Sequence, residues 1–600
     1  DWKGNKTTYN YNSVNDLLNK TDRAGGTTTY TYDSWGNLTS ETDADGHTIT
    51  STYDTVGRLT SRTDGNGNTT TFTYDAKGNL TVTTDPYGNT ASSTYNSMDR
   101  ITSSTNENGN KTTYEYDAMG RLTAATNAAG IRTEYAYDKN GNAVSMTDGN
   151  GNKTTYTYDA ENKLTKTVTP EGNTTELVYD AAGRMTKIIN ANGNEMGLSY
   201  DADGNATGMT DGNGYETAYE YDALGRISKQ TNPDGTSRSY TYDANGNITS
   251  VTDERGNATT YTYDAEDRLL SVTDPEGGAV VYTYTAAGQL ASAKDQNGAV
   301  TAYTYDGNHN LASVTDGRGN TTSYEYDKLN RLTAMVDPEG GRTEYTYDAV
   351  GNLVSVKMPE GGVYGNAYDA ADRKTSTTDA LGHTESYTYD NNGNVLSVTD
   401  RRGNTTSYAY DKDNRLVSVT DALGGVTTYT YDGLGQVTSI TNALGGVTTT
   451  TYDANNQITV ASNELAEEGS DTHRVKYEYN NRGFVTKRTN EDGTFVSYEY
   501  DANGNVTKMT DERGNSYSYT YDKNNLLLTE TDPLNGTTTY TYTPAGEVAT
   551  VTDALKGVIK YTYDENGNLV SFVDAEGYSW GYTYDKNNRT SSATDGNGNV

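Results

Sequence analysis

The chain has no cysteine, so neither a disulfide nor a thiolate metal site can exist in it. It has eight prolines, four phenylalanines, three tryptophans and four histidines in 600 residues. Hydrophobic residues make up 32%, and 54 of them are tyrosine. With Tyr, Met and Trp set aside, about a fifth of the chain is left, alanine included. That is too little apolar bulk for several ordinary cores and, with a net charge of −36, a composition that by itself points to disorder. Lys and Arg number 46 against 82 Asp and Glu, an imbalance that excludes the clustered basic surface nucleic acid requires and disfavours anionic membranes. No apolar run approaches the roughly 20 residues of a membrane span. The chain starts at Asp1-Trp2-Lys3 and stops mid-phrase at Asn599-Val600, so it is expected to be a fragment of a longer protein.

What the sequence does have is a period. From Tyr11, tyrosine recurs every 21 residues to Tyr452, then after one step of 27 at Tyr479, and every 21 again to Tyr584. This defines one continuous array over residues 1–600: 22 repeats in register at 11–452, a six-residue insertion within 463–473, and six more repeats at 479–584. The marker tyrosine is followed by Asp in 23 of the 28 copies, and 21 copies carry a second Tyr two residues before it. The repeat markers are exemplified by Tyr32, Asp33 and Gly36, by Tyr240, Tyr242, Asp243, Gly246 and Gly256, and by Tyr263 and Asp264. A strict period of this length is the signature of a repeat architecture and overrides the compositional argument for disorder.

Two points in each copy demand a left-handed backbone. Four residues after the marker stands Gly in 17 copies and Asn, Asp or His in the other eleven, the residue types that best tolerate positive φ. Ten residues on is a second such point, Gly256 in that repeat. Seven of the eight prolines fall two residues before this second point, as in Asp274-Pro275-Glu276-Gly277. Asp-Pro-x-Gly is a type I turn closed by a left-handed residue, the three-residue hairpin connection. Each repeat therefore holds two hairpin turns and, between them, two strand-length segments rich in Thr, Tyr, Val and Leu, such as Thr259-Thr260-Tyr261-Thr262-Tyr263 and Ile248-Thr249-Ser250-Val251-Thr252. The paired tyrosines are two apart and share a face, whereas Ile248 and Val251 are three apart and face opposite sides unless a bulge intervenes.

The fold class that follows is all-β: one long antiparallel hairpin meander of about 56 strands, two per 21-residue repeat. A ribbon of that length cannot stay open and flat, because strand twist has a fixed hand. The expectation is a spiral, hollow β-sheet shell or tube, with an open filament as the competing shape.

The sequence offers no catalytic constellation. His47, His309, His383 and His473 have no metal-ligand spacing and are expected to be surface turn residues. Gly-rich phrases such as Asp64-Gly65-Asn66-Gly67-Asn68 are expected to be turns, since no Gly-Lys-Ser/Thr follows. No catalytic, cofactor-binding or metal residues are assigned. The only cofactor left open is calcium at acidic turns such as Asp201-Ala202-Asp203-Gly204, which lack the bidentate glutamate of a calcium loop. The irregular stretch 463–473 is the candidate contact loop, through Glu464, Glu467, Glu468, Asp471 and His473; a tolerated insertion is the alternative.

The phrase Tyr-Asp-x-x-Gly-Asn/Arg-Leu-Thr-x-x-x-Asp-x-x-Gly-Asn resembles the Rhs or YD-repeat family over essentially the whole chain. That family includes bacterial Rhs polymorphic toxins, wall-associated protein A, shell subunits of insecticidal toxin complexes, and teneurins. The resemblance implies a spiralling β-sheet shell enclosing a C-terminal polypeptide, a toxic effector in the toxin members, and links such repeats to carbohydrate at cell surfaces. The expected function is a non-enzymatic shell segment that encapsulates and helps deliver an effector of the same longer chain. The alternative is a surface adhesin or spacer that binds glycans. Either places the protein outside the cell or on its surface, in bacteria, with no nucleic-acid partner and no membrane span. For the toxin members the resemblance also implies a core domain with an Asp-Pro-x-Gly signature and an aspartate-based self-cleavage site; Asp274-Pro275-Glu276-Gly277 and Asp337-Pro338-Glu339-Gly340 match the signature but lie at the ordinary turn position and are expected to be turns.

Overall fold

The computed structural model describes residues 1–467 and 469–600. The described residues form 56 strands, numbered in chain order from β1 (Thr8–Tyr11) to β56 (Thr590–Thr594), and no helix. Every strand pairs antiparallel with the one before and the one after, and the first and last do not pair, so the sheet is a single unclosed meander. Strands of six and five residues alternate, as in β23 (Ser237–Tyr242), β24 (Ile248–Thr252) and β25 (Ala258–Tyr263).

The turns have the conformation the sequence requires. Gly36, Gly246 and Gly256 lie at φ 85°, 98° and 86°, and the non-glycine substitutes Asn162, Asp267 and His309 at 64°, 63° and 66°. In each turn the first residue exchanges two backbone hydrogen bonds: Gly246 N donates to Asp243 O at 3.1 Å and Asp243 N to Asn247 O at 2.9 Å. Asp274 and Asp337 make the same pair, so both Asp-Pro-Glu-Gly phrases are hairpin turns.

A bulge settles which side chains share a face. Tyr240 pairs with Val251, Thr241 with Ser250, and Tyr242 with Ile248, so Thr249 is the extra residue on the short strand. The same shift recurs beside the marker tyrosine of the neighbouring repeats. It returns Ile248 to the face of Val251 and both tyrosines, which makes one apolar stripe from residues whose spacing is odd. Along β25 this face is half-buried and the other exposed. On the exposed face, hydroxyl pairs run across the hairpins, such as Thr241 to Thr249 at 2.9 Å and Thr262 to Ser271 at 2.6 Å.

Among the described residues there is no second layer. The buried hydrophobic residues are Ala124, Ala334 and Val496, with Ser103, Ser145 and Thr343 the buried polar ones. The accessible surface is 31814 Å², against about 20,500 Å² for a compact globular protein of this mass. Both faces of the sheet are therefore open. The sheet instead meets itself edge to edge: turns at residues 64–68 bond to turns at 306–310, 242 positions later. That interval is about eleven and a half repeats, or about 23 strands, a circuit of about 110 Å and about 35 Å across if circular. The chain makes about two and a half such windings, and the result is the spiral shell.

Candidate functional site: the seam between windings

The Asp of each turn is locked by its own loop. Asp243 Oδ1 accepts the amides of Asn245 and Asn247, both at 2.9 Å, and its Oδ2 accepts Asn247 Nδ2 at 3.0 Å. Asp33 and Asp264 repeat the pattern, with Arg268 Nε replacing the asparagine amide on Asp264 at 2.6 Å. These donors favour the charged form. Asp33 is held below the usual carboxylate range, chiefly by the Asn37 amide. For Asp243 partial burial pushes upward, and the Lys3 ammonium at 2.6 Å and Asn247 outweigh it, lowering the pKa to about 2. Asp201, at an acidic turn considered for calcium, has its oxygens engaged by the amide and side chain of Asn205.

The marker tyrosine closes the sheet where the ladder ends. Between β24 and β25 only three residue pairs are in register, from Ser250 to Thr252, so the Ile248 carbonyl has no ladder partner. Tyr263 OH donates to it at 2.9 Å, and Tyr242 OH does the same for Ile227 at 2.7 Å. The tie recurs along the array, for instance from Tyr53 to Leu38 and from Tyr584 to Leu569. Where Arg follows the left-handed residue, its guanidinium lies over the next marker ring, Arg226 on Tyr242 at 4.4 Å. Where Asn follows it and the left-handed residue one repeat on is not glycine, the Asn can reach that residue: Asn247 to Asp267 at 2.6 Å, Asn310 to Asn330 and Asn394 to Asn414 at 2.8 Å. The Asn and Asp substitutes for glycine are thus bonding partners as well as tolerated residues.

The two edges of the ribbon carry different turns, and the half-integral winding sets one kind against the other. Asn66 Nδ2 donates to Asp306 Oδ2 at 2.9 Å, and Asn308 Nδ2 donates back to Asp64 Oδ2 at 2.6 Å. The reciprocal pair recurs between Asn150 and Asp390 with Asn392 and Asp148, and between Asn213 and Asp453 with Asn455 and Asp211. The backbones nearly touch. A Cβ on Gly65 would lie 1.8 Å from Gly307 O, and one on Gly212 2.1 Å from Ala454 O. The phrase Asp64-Gly65-Asn66-Gly67-Asn68 is therefore a turn, as expected, and also a docking element. A signal for this was present: Asn at the third position of both turns, about 242 residues apart.

Beyond the insertion the spacing becomes 248, as between Arg255 N and Asn503 Oδ1, so the six extra residues loop out and the seam keeps its register. The loop spans β44 (Ile458–Ser462) to β45 (Arg474–Tyr479), with Asn463 N bonded to His473 O at 2.9 Å. Its side chains meet hairpins of the same winding: Glu464 meets Asn442, and His473 approaches Glu491 at 3.7 Å. Asp471 pairs with Lys476 at 2.7 Å, while Glu467 accepts Arg474 through its carbonyl at 3.2 Å. Glu468 lies outside the described residues.

The seam also joins histidines that look unrelated in sequence. His47 and His309, 262 residues apart, have ring centroids 5.2 Å apart, with Asp43 between them. His383 and His473 have no second imidazole beside them among the described residues.

The sequence profile of the RHS Repeat family matches thirteen segments from 11–48 to 410–447 that together cover more than half of the chain. The chain belongs to the RHS repeat family. Its last quarter, 447–600, matches the Teneurin YD-shell profile. No curated protein matches this RHS array in sequence. Among solved structures it is similar to TcdB2-TccC3, with a TM-score of 0.67 and 14% identity over 99% of this chain and 43% of that one. It is similar also to the Photorhabdus luminescens Tc holotoxin pore, with a TM-score of 0.57 and 15% identity over 98% of this chain and 34% of that one. The RHS array thus has the fold of those shells and spans less than half the length of either chain. Among the described residues no helix is long and apolar enough to cross a membrane.

Proposed function

We propose that this RHS array is a non-catalytic wall segment of a shell that encloses a C-terminal polypeptide of the same longer chain and shields it until delivery. The observation that carries this reading is the seam. A spacer or adhesin needs only an extended ribbon, and edge contacts between windings add nothing to its reach. A container needs its windings sealed, and here polar contacts recur along the seam, reciprocal Asn–Asp pairs among them, as at Asn66–Asp306, Asn150–Asp390 and Asn213–Asp453. The likeness in fold to TcdB2-TccC3 and to a Tc holotoxin pore supports the same reading.

The competing role, a glycan-binding adhesin, would draw on tyrosine hydroxyls and asparagine amides. The marker hydroxyls and the turn amides described above are already bonded within the wall, which weighs against it. Under the shell reading the protein works outside the cell that makes it, as a bacterial secreted or surface protein, with its effector as principal partner. Limited proteolysis of the intact parent chain tests this. The C-terminal segment should resist cleavage while the array is folded and be digested once the array is denatured. Equal cleavage before and after denaturation would sink the shell reading.

A further inference from the structure

We propose that Asp43, His47 and His309 form a site for one divalent transition-metal ion of the zinc class, which clamps the first winding to the second. The three residues come from two turns on opposite sides of the seam. Asp43 and His47 open and close a turn of the first winding, while His309 holds the left-handed position of a turn in the second, at φ 66°. Asp43 Oδ2 lies 2.9 Å from His309 Nε2 and 3.3 Å from His47 Nδ1, and the three ligand atoms all fall within 4.8 Å of one another. The imidazoles meet edge to face, at an interplanar angle of 84°.

A tetrahedral zinc ion with bonds of about 2.0–2.2 Å places its donors roughly 3.3 Å apart, which this trio reaches with small side-chain rotations. Two imidazoles and one carboxylate select zinc, copper or nickel over calcium and magnesium. The surroundings orient the donors. Asp43 Oδ1 accepts the amides of Asp45 and His47, both at 2.9 Å, which fixes the carboxylate and leaves Oδ2 facing the histidines. The backbone of His309 is held on both sides, its N–H by Asp306 O at 3.0 Å and its carbonyl by Gln289 Nε2 at 3.2 Å. The trio lines a cavity of about 550 Å³ that also presents Glu41, Asp64, Arg62 and Lys328, with room for water as a fourth ligand.

The array supplies its own controls. Asn occupies the place of His309 in the next repeat, at Asn330, and the place of His47 in the next repeat, at Asn68, so His309→Asn and His47→Asn keep the turns. His383 occupies the same turn position as His47 and approaches Asp379 at 3.3 Å, but lacks the second imidazole.

The test is titration of the full 600-residue chain with zinc chloride at neutral pH, by calorimetry and by competition with a chromogenic chelator. One equivalent should bind, at least tenfold more weakly after His47→Asn or His309→Asn and unchanged after His383→Asn. Zinc should also slow amide exchange at both 43–47 and 306–310. Equal zinc affinity in the His47→Asn/His309→Asn double variant would overturn the proposal. So would the absence of a stoichiometric site, or a loss as large in His383→Asn.

Discussion

Replacing Gly65 by alanine tests whether the windings are held by the seam described. Gly65 needs no left-handed backbone, so the substitution strains nothing within its own turn. Its Cβ would sit 1.8 Å from Gly307 O, far inside ordinary contact distance, and the obstacle is backbone. The turns at 64–68 and 306–310 must separate by more than an ångström. Three hydrogen bonds then fail: Asn66 Nδ2 to Asp306, Asn308 Nδ2 to Asp64, and Asn66 N to Asn308 Oδ1. Two of them involve a carboxylate, but the sites are partly exposed, so about 1 kcal/mol each is the appropriate scale and about 3 kcal/mol the local loss. In a repeat protein that loss stays local, and global melting would dilute it. Hydrogen exchange read peptide by peptide is the assay. Amides in both segments should exchange about a hundredfold faster, at about 1.4 kcal/mol per tenfold. The decisive feature is that a change at residue 65 appears at 306–310. Acceleration confined to 64–68 would refute the reasoning, because it would mean that the two windings do not touch there.

Tyr263→Phe should leave the Ile248 carbonyl without its donor and cost about 1–2 kcal/mol, seen as faster exchange around 248 and 263; an equal effect from Tyr261→Phe, whose hydroxyl does not make that tie, would contradict it. Lys556 carries a long side chain at φ 73°, so Lys556→Gly should stabilise the local hairpin by about 1 kcal/mol, and slower refolding of that hairpin or faster exchange at 553–557 would count against the argument. Acid should loosen the wall. The folded pKa of Asp243 is depressed to about 2, so its contribution is complete above about pH 4 and is lost as pH falls from there towards 2; Asp253 and Asp306 shift downward too, partial burial opposing but outweighed by donors that include Asn503 and Asn66 across the seam. Scattering during an acid titration should show expansion in that window, and expansion beginning at pH 6 would exclude the turn aspartates as its cause.

Much of the architecture was legible in the sequence because local conformation carries it. Gly246, Gly256 and Pro275 specify turns through their own backbone preferences, and Tyr240 with Tyr242 specifies a strand face through a two-residue period. The bulge at Thr249 was not legible, because two residues against one is a property of pairing and not of either strand alone. The hydroxyl tie of Tyr263 was hidden for a related reason: its acceptor is a carbonyl, which no side chain advertises. The eleven non-glycine left-handed positions looked like tolerance, and the Asn247–Asp267 bond shows a partner that only adjacent hairpins can supply.

By itself, then, the sequence determined the repeat, its two turns, its two strands and the need for the ribbon to wind, since each follows from interactions within about 21 residues. Only the tertiary structure decided how far the ribbon winds before it meets itself. That interval is the accumulated twist of about 23 strands, and a small change per strand would shift every partner along the seam. For this reason Asn66 with Asp306, Gly65 with Gly307, and His47 with His309 are facts of the winding, although each of those residues stands in plain view in its own repeat.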